Sequence, residues 1–331
     1  MTITTNRGLA VSYSLTGSPG LAVLHSVTGS PRFVGGGGRV GAVKLYLLDG
    51  TYELFRAYFG APPRQAPDGR EVGAVAAFTG SILGLLSEPG VTHIAAAFDS
   101  VIESFRNDVF PRYKSGEGIE PALLEQFPLA ERAMKAIGVT VWSLYDYEAD
   151  DGLATAARRW AGDVDQVVVM TPDKDLAQMY GDPRIIGYDR RRGTFIDREG
   201  VVAKFGVEPE SIPDWLGLVG DAADGLPGIP GWGAKSSATI LARYRHLEDI
   251  PLDGALWDVK VRSADKLAAT LRQRMGDALL YRFLAQLRTD VPIPDSLADL
   301  AWKGVPRGRF ESFCDELGFT TLRQRPHRWV D

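Results

Sequence analysis

The sequence predicts an α/β fold, with a parallel sheet in the first part of the chain and a smaller helical domain after it. Short apolar runs with strand character alternate with segments of helical period and length, which is the order typical of a parallel sheet. Beyond about residue 197 the strand signals fade, and the rest reads as helices joined by turns that contain Gly and Pro.

The chain begins with a segment, residues 1–42, that contains no Asp or Glu and is rich in Ser, Thr and Gly. It ends in the glycine run 35–38, and we predict a flexible leader. Two alternatives stay open. One is a targeting segment, against which the few arginines and the lack of a sustained amphipathic period argue. The other is a start site placed too far upstream.

The ordered elements follow from apolar runs and helical periods. We predict strands at residues 43–48, 91–98, 140–144 and 166–171. We predict helices at residues 73–86, 122–137, 148–160 and, in the second part, 237–244. This places an α/β domain at 43–196, a helical region at 197–325 and a short tail at 326–331.

Composition excludes several classes of protein. Of the 331 residues, 45% are hydrophobic and 24% charged, as in globular proteins long enough for two domains. A single cysteine and four histidines exclude a disulfide scaffold and a multi-cysteine zinc module, and they fit a reducing, cytoplasmic compartment. The longest apolar runs are far shorter than the roughly 20 residues of a membrane span. The net charge of -5 argues at first against nucleic acid as a partner.

Acidic residues follow the predicted strands at the edge where ligands bind to parallel sheets. With two acids from a later helical turn, the set is Asp49, Asp99, Glu148, Asp150, Asp151, Asp173, Asp175, Asp221 and Asp224. Like charges this close raise one another's pKa, and divalent cations relieve the repulsion. Because no His or Cys lies in the set, Mg²⁺ or Mn²⁺ is favoured over zinc. Two such ions suit in-line displacement at phosphorus.

A simpler interpretation of each acid stays open. An Asp that follows a strand is often only a helix cap, and Asp99 and Asp151 could each be explained in this way. Lys174, between two of the acids, could turn to the other face. None of the four histidines lies in an acid cluster, so the sequence predicts no histidine general base.

Several motifs occur in a characteristic order. They are Leu47-Leu-Asp-Gly-Thr51, Phe55-Arg-Ala-Tyr58, Phe105-Arg106, Tyr113-Lys114, Glu148-Ala-Asp-Asp151, Thr171-Pro-Asp-Lys-Asp-Leu-Ala-Gln178 and the Gly/Pro-rich stretch 220–235. In this order the chain resembles the bacterial 5′→3′ exonuclease or flap endonuclease family, which occurs as the N-terminal domain of DNA polymerase I and as free-standing enzymes. The similarity runs from about residue 43 to about residue 325.

The resemblance implies a PIN-like α/β nuclease domain with a helical arch, followed by a helix-three-turn-helix region. It implies a first metal site at Asp49, Asp99, Glu148, Asp150 and Asp151, and a second at Asp173, Asp175, Asp221 and Asp224. The implied activity is a two-metal, structure-specific 5′→3′ exonuclease and flap endonuclease that releases 5′-phosphates. The implied role is RNA-primer removal in replication and repair.

Glycines at 228, 231 and 233 let the backbone approach a phosphate closely, and Lys235 and Ser236 stand just before the next predicted helix, whose first N–H groups attract anions. On spacing alone an ordinary turn explains Gly228, Gly231 and Gly233 equally well. The resemblance implies that this stretch grips the duplex backbone around a potassium ion. Contacts of this kind read phosphates and shape, so we expect no sequence preference.

The resemblance also implies an arch at residues 102–126 through which a 5′ single strand passes. Arg106 and Lys114 are its expected catalytic cations at the scissile phosphate. Arg56, Arg112 and Tyr113 are expected to bind DNA, and aromatic residues of the arch could instead belong to the core. Glu117 stands where the family usually has Arg, which predicts weaker phosphate contacts there.

The implied partners are DNA with 5′ flaps, nicks or free 5′ ends, RNA-primed ends included, and separate polymerase and ligase proteins. We expect a monomer in the bacterial cytoplasm, near the nucleoid, with no membrane contact. An alternative is a junction-binding protein whose catalysis is vestigial. A phosphatase of the Asp-x-Asp-Gly-Thr type is excluded because Leu47 occupies the position of the nucleophile.

Overall fold

A computed structural model describes residues Val43–Asp331, so the predicted leader 1–42 lies outside the described residues. Within them, a six-stranded sheet has the order β3-β2-β1-β4-β5-β6. Its strands are β1 Lys44–Asp49, β2 His93–Asp99, β3 Thr140–Leu144, β4 Gln166–Met170, β5 Ile185–Asp189 and β6 Thr194–Ile196. The first five are parallel and β6 runs antiparallel to β5, which confirms the predicted α/β class.

Helices cover both faces of the sheet and form the second part of the chain. They are α1 Gly50–Gly60, α2 Gly73–Leu86, α3 Phe105–Val109, α4 Pro121–Leu124, α5 Phe127–Ala136, α6 Ala149–Trp160, α7 Arg198–Phe205, α8 Ile212–Val219, α9 Ala234–Tyr244, α10 Ala264–Ala285 and α11 Arg307–Leu317. The predicted helix 122–137 is interrupted after Leu124. Pro128 in the first turn of α5 has no N–H to continue the preceding helix.

The central strands are apolar along both faces, as expected for a parallel sheet that is covered on each side. Leu45 and Leu47 of β1 face a core formed with α6 and the later helices α8, α9 and α10. Leu48 faces the opposite core, formed with α1, α2, α5 and α11. Successive side chains of a strand point to opposite faces of the sheet. Asp49 and Asp99 are the last residues of β1 and β2 and therefore lie at the carboxyl edge of the sheet.

The structure also differs from the sequence-based expectation in the segment 102–126 and at the end of the chain. The segment 102–126, expected to be a helical arch, contains only the short helices α3 and α4, and Gly118 between them has a φ of 88°. The expected tail contains β8, Trp329–Val330, which pairs with β7, Val305–Pro306. The guanidinium of Arg307 lies 4.4 Å from the centroid of the Trp329 ring, and this contact helps to hold the end of the chain on the fold.

Candidate metal centre and nucleic-acid interface

Three acids meet beyond the carboxyl end of β4. Asp175, Asp221 and Asp224 each present a carboxylate oxygen, and these oxygens lie within 4.8 Å of one another. The chain turns sharply between Asp221 and Leu226, which exchange two backbone hydrogen bonds of 2.7 and 2.8 Å, and this turn brings Asp221 and Asp224 to the sheet edge. Oδ1 of Asp175 is buried and has no hydrogen-bond partner among the described residues. An unpartnered carboxylate oxygen among other carboxylates is the environment that a divalent cation satisfies.

A second set of acids lies at the ends of β1 and β2 and at the start of α6. Burial raises the pKa of Asp49 to about 7, and the charges of Asp99 and Asp173 add to this effect. Burial also raises the pKa of Asp99, to which Glu148 contributes. For Asp150, burial together with the charges of Asp173 and Asp49 raises the pKa well above its ordinary value. These carboxylates lie close together, and the protein does not supply enough positive charge to compensate their negative charges.

Some of these acids also cap helices, so the two interpretations of the sequence are compatible. Oδ1 of Asp49 accepts a hydrogen bond of 2.8 Å from the N–H of Tyr52 in the first turn of α1. Oδ1 of Asp99 accepts one of 2.9 Å from the N–H of Ala149, the first residue of α6. Each carboxylate keeps its second oxygen for other partners. For Asp49 this is the hydroxyl of Thr171, at 2.8 Å.

Glu148 is the acid most fully surrounded by cations. Its Oε2 lies 2.6 Å from Nζ of Lys114, and its Oε1 accepts hydrogen bonds from Arg106 at 3.0 Å and Ser104 at 2.8 Å. Burial alone would raise the pKa of Glu148, but Lys114 and Arg106 outweigh it and hold the pKa below its ordinary value. Glu148 is therefore ionised and already compensated by the protein.

Asp151 lies beneath the acidic edge and not on it. Its carboxylate is 0% exposed and forms a bidentate pair with Arg106, at 2.7 and 2.8 Å. It also accepts hydrogen bonds from the backbone N–H groups of Glu148, at 3.1 Å, and Arg288, at 2.8 Å. No exposed oxygen is left for a metal, which argues against the predicted role of Asp151 as a ligand.

Arg106 is equally buried, with 1% of its side chain exposed. Besides the carboxylates, its guanidinium donates to the carbonyl oxygens of Leu284 at 2.7 Å and Gln286 at 3.2 Å. The guanidinium is fully engaged inside the protein, which argues against the predicted contact with a scissile phosphate. Tyr113, predicted to bind DNA, is also buried, 4% exposed, and lies against this guanidinium at 6.0 Å.

Lys114 and Lys174 both turn toward the acids. Nζ of Lys114 contacts Glu148 with a quarter of the side chain exposed, so this cation can also meet a ligand at the edge. Nζ of Lys174 forms an ion pair with Asp221, and the alternative in which it turns to the opposite face is not realised. Two predicted DNA-binding arginines lie elsewhere. Arg112 is exposed over the ring of Phe110, and Arg56 pairs with buried Glu53.

In the Gly-rich turn between α8 and α9, Gly228 and Gly231 each have a positive φ that favours glycine. Gly228 has a φ of 67°, and a Cβ there would lie 2.5 Å from the carbonyl of Val219. Gly231 has a φ of 86°. Gly233 is the N-cap of α9, and its N–H donates to the hydroxyl of Ser236 at 3.1 Å. Lys235 lies in the first turn of α9, as the sequence predicts for a phosphate-binding turn.

This turn lines one wall of a cleft of about 770 Å³. The other wall comes from the segment before and at the start of α10, and it carries Lys260, Arg262 and Lys266. No acidic residue lines the cleft within the described part of the chain. These three cations were not among the residues predicted from the sequence, although three basic residues in the seven positions 260–266 are a visible signal.

Among residues 43–331, no helix combines the length and the apolarity that crossing a bilayer requires.

Comparison with known proteins gives consistent matches along the chain. The sequence model of a family described as "5′-3′ exonuclease, N-terminal resolvase-like domain" matches residues 44–206, and its "C-terminal SAM fold" matches residues 207–307. DNA polymerase I of Bacillus caldotenax is 34% identical over 286 residues, which are 85% of this chain and 32% of that protein. DNA polymerase I of Bacillus subtilis (strain 168) is 33% identical over 286 residues, with the same shares. The chain thus spans about a third of the length of these relatives.

Solved structures share the fold at low sequence identity. T5 5′-exonuclease with bound divalent metal ions (zinc) has a TM-score of 0.59 at 17% identity, over 85% of this chain and 100% of that one. The catalytic core of Rad2 in complex with a DNA substrate has a TM-score of 0.54 at 14% identity, over 84% of this chain and 89% of that one. The predicted fold, a parallel-sheet domain followed by a helical one, is therefore confirmed.

Proposed function

The chain belongs to the 5′-3′ exonuclease family, and we propose that it hydrolyses DNA phosphodiesters at 5′ flaps, nicks and free 5′ ends and releases 5′-phosphates. The observation that carries this proposal is the cluster of buried carboxylates around Asp175, whose Oδ1 has no partner among the described residues. A binding protein without catalysis would have no need to keep so many acids in an environment that opposes their ionisation.

The acidic edge fits hard divalent cations, Mg²⁺ or Mn²⁺, because every available donor is a carboxylate oxygen. One ion would be held by Asp173, Asp175, Asp221 and Asp224, and the other by Asp49, Asp99, Asp150 and, through the Oε2 that it shares with Lys114, Glu148. When bound, such ions supply an activated water and stabilise the leaving oxygen. Asp151 is outside this proposal because Arg106 and two backbone N–H groups occupy its oxygens.

Lys114 supplies the cation that meets the phosphate. Burial would lower the pKa of Lys114, but the charges of Glu148 and Asp99 outweigh it and raise the pKa well above the ordinary value. The ammonium group is therefore charged at all physiological pH values. Its position beside Glu148 lets it orient the phosphate over the carboxylates, while Arg106 holds Glu148 and Asp151 in place from below.

The cleft between α9 and the start of α10 holds the duplex. We infer that the N–H groups of the Gly228–Ser236 turn and the side chains of Lys235, Lys260 and Arg262 contact successive phosphates. The carbonyl groups of the same turn would hold a potassium ion. Contacts of this kind recognise the backbone and its shape, so binding should not depend on base sequence.

We propose that the enzyme acts as a cytoplasmic monomer near the nucleoid, on RNA-primed ends among others. The printed name of its relatives, DNA polymerase I, supports a functional link to a polymerase, and sealing the product would require a ligase.

The test is cleavage of a flap substrate labelled on its 5′ end, with Mg²⁺ or Mn²⁺, by the parent protein and by Asp175→Asn and Asp150→Asn. We expect each variant to lose at least a thousandfold in cleavage rate while the dissociation constant in EDTA changes less than threefold. Asp182→Asn is the matched control, because this acid pairs with Arg184 away from the acidic edge. Undiminished cleavage by both variants would refute the metal assignment. Binding without cleavage at any metal concentration would favour the junction-binding alternative.

A further inference from the structure

A second cleft, of about 380 Å³, lies beside the acidic edge on the side of β5 and β6. Its walls come from residues 171–174 after β4, from the hairpin Ile185–Ile196 that contains β5 and β6, and from α7. The hairpin turns at the carboxyl end of β5, where Asp189 accepts hydrogen bonds from the N–H groups of Arg191 at 2.9 Å and Arg192 at 3.1 Å. The cleft therefore opens at the same edge of the sheet as the carboxylates.

Three cations line the cleft, and two of them, Arg192 and Lys204, have little or no carboxylate compensation among the described residues. Lys204 of α7 has no ion pair within residues 43–331 and lies 4.9 Å from the ring of its neighbour Phe205. Arg192 is 61% exposed, and its only carboxylate contact in that part of the chain is Asp189, at 3.3 Å. Lys174 completes the set from the side of the acidic edge. Two acids also line the cleft. Asp189 is engaged by the backbone of the turn, and Asp173 accepts the N–H of Asp175 at 2.8 Å.

The wall of the cleft contains an unpartnered hydroxyl group, that of Tyr180. The side chain of Tyr180 is 2% exposed and lines the cleft, and its Oη has no hydrogen-bond partner in the described residues. Gly187 on β5 makes room for this hydroxyl group, because a Cβ there would lie 2.5 Å from the oxygen. Buried hydroxyl groups are normally satisfied, and this one is left without a partner beside Gly187 in the wall of the cleft.

An exposed aromatic ring stands at the same cleft. Phe195 of β6 is 59% exposed, and its ring stacks on that of Tyr188 at 4.4 Å with an angle of 21° between the planes. The stacked partner fixes the orientation of the exposed ring. An aromatic ring held in this way beside cations is the combination by which proteins bind single nucleotides of a nucleic-acid strand.

We propose that this cleft binds one nucleotide of the DNA substrate, with its phosphate at Arg192 and Lys204 and its base against Phe195. The proposal rests on the nuclease function proposed above and adds a substrate contact outside the metal site and outside the duplex cleft. The strand that supplies the nucleotide is either the cleaved strand or the strand opposite to it. In both cases the contact fixes the position of the substrate relative to the carboxylates.

The first experiment measures binding of a fluorescent 5′-flap substrate in EDTA as a function of salt. We expect the double variant Arg192→Ala/Lys204→Ala to bind at least tenfold more weakly and to lose about 0.7–0.9 from the slope of log K against log salt for the lost phosphate. Phe195→Ala should bind at least fivefold more weakly with the slope unchanged, because stacking carries no charge. Arg184→Ala, at the opposite end of β5, is the matched control.

The second experiment identifies the strand. The fluorescent base 2-aminopurine is placed at successive positions of the flap strand and then of the opposite strand, and its quenching is compared between the parent and Phe195→Ala. One position at which quenching requires Phe195 supports the proposal, whichever strand contains it.

The outcomes separate this proposal from the function on which it rests. If the parent cleaves the flap but the variants bind as tightly as the parent, with the same salt slope and no quenched position, the nucleotide cleft is refuted and the nuclease stands. If the parent neither binds nor cleaves the flap, both proposals fall together. Far-UV circular dichroism of each variant shows that the fold is kept, which is expected for side chains as exposed as those of Arg192 and Phe195.

Discussion

Replacing Arg106 with Met should reduce the stability of the protein far more than an ordinary charge deletion. The side chain is 1% exposed and its partner Asp151 is 0% exposed, so neither charge can recover solvation from water once the other is removed. Two carbonyl groups, of Leu284 and Gln286, lose a donor at the same time. Breaking a buried pair in this way costs about 3–5 kcal/mol of the free energy of unfolding. We expect Arg106→Met to fall in this range.

The same reasoning predicts how the pair behaves in a double-mutant cycle. Asp151→Leu alone leaves the guanidinium of Arg106 with only Glu148 as a carboxylate partner, and we expect a cost similar to that of Arg106→Met. The double variant Arg106→Met/Asp151→Leu contains no uncompensated charge from this pair. In this double variant Glu148 keeps its hydrogen bond from Ser104 and its ion pair with Lys114. The double variant should therefore be more stable than the sum of the single losses predicts, by about 2 kcal/mol or more.

The assay is urea unfolding followed by circular dichroism, with free energies taken from the midpoint and slope. Arg184→Met is the matched control, because this arginine forms an exposed pair with Asp182, and its loss should leave the midpoint unchanged. Single variants that lose less than about 1 kcal/mol, or strict additivity in the double variant, would refute the interpretation of Arg106 and Asp151 as a buried supporting pair.

Three further predictions concern the site and its surroundings. Lys114→Met should lower kcat for flap cleavage by about 10²–10³-fold, as for the loss of one preorganised charge, with partial recovery in Lys114→Arg; an unchanged kcat would remove Lys114 from the mechanism. In metal-free protein burial is the main cause that raises the pKa of Asp49 and that of Asp224 to about 7, whereas the unfolded chain releases these protons near the ordinary pKa, so stability is lost progressively as the pH rises toward 7 and no further above it. The melting temperature in EDTA should fall from about pH 5 to about pH 7 and then level off, and saturating Mn²⁺ should reverse this trend; an EDTA melting temperature that does not fall in this range would contradict the shifts. Lys260→Ala/Arg262→Ala should weaken duplex binding equally for unrelated sequences and reduce the salt slope by about 0.9 per phosphate contact, whereas sequence-dependent losses would contradict backbone recognition.

The sequence predicted those parts of the fold whose pattern depends on burial from both sides. Strands β1, β2 and β4 are mostly buried because helices cover each face of the sheet, and they are visible in the sequence as apolar runs. Strand β5 mixes buried and half-buried positions, and the side chains of Thr194 and Phe195 in β6 are exposed, so neither strand has an apolar run to detect. For this reason apolar runs did not predict the β5–β6 edge of the sheet.

The acidic edge was predictable because the topology of a parallel sheet brings strand ends together whatever the tertiary contacts. The sequence did not show which of these acids are available to a metal and which are held by other groups of the protein. Asp151 is withdrawn from the edge by Arg106 and by the N–H of Arg288, a residue 137 positions later. Contacts over such separations leave no local periodicity in the sequence, so the motif Glu148-Ala-Asp-Asp151 could not distinguish supporting acids from those available to a metal.

The acidic net charge can now be assigned to particular side chains. Residues 1–48 carry four basic and no acidic groups, so residues 49–331 carry -9, the number of acids predicted at the edge. The protein compensates three of these acids itself. Asp151 pairs with Arg106, Glu148 with Lys114 and Arg106, and Asp221 with Lys174. The acids without such a partner are Asp49, Asp99, Asp150, Asp173, Asp175 and Asp224.

Two divalent ions would offset most of the charge that remains at these six acids, at the place where a phosphate must arrive. The basic cleft of Lys235, Lys260, Arg262 and Lys266 lies apart from them, with no acid among its lining residues in the described chain. The basic cleft therefore attracts the DNA duplex, whereas the metal-free acidic edge, a different surface, repels DNA. DNA binding in EDTA should depend on the basic cleft and on salt, and productive placement of the scissile phosphate should depend on metal. An acidic protein can bind DNA under these conditions because its negative charge is concentrated where cations belong.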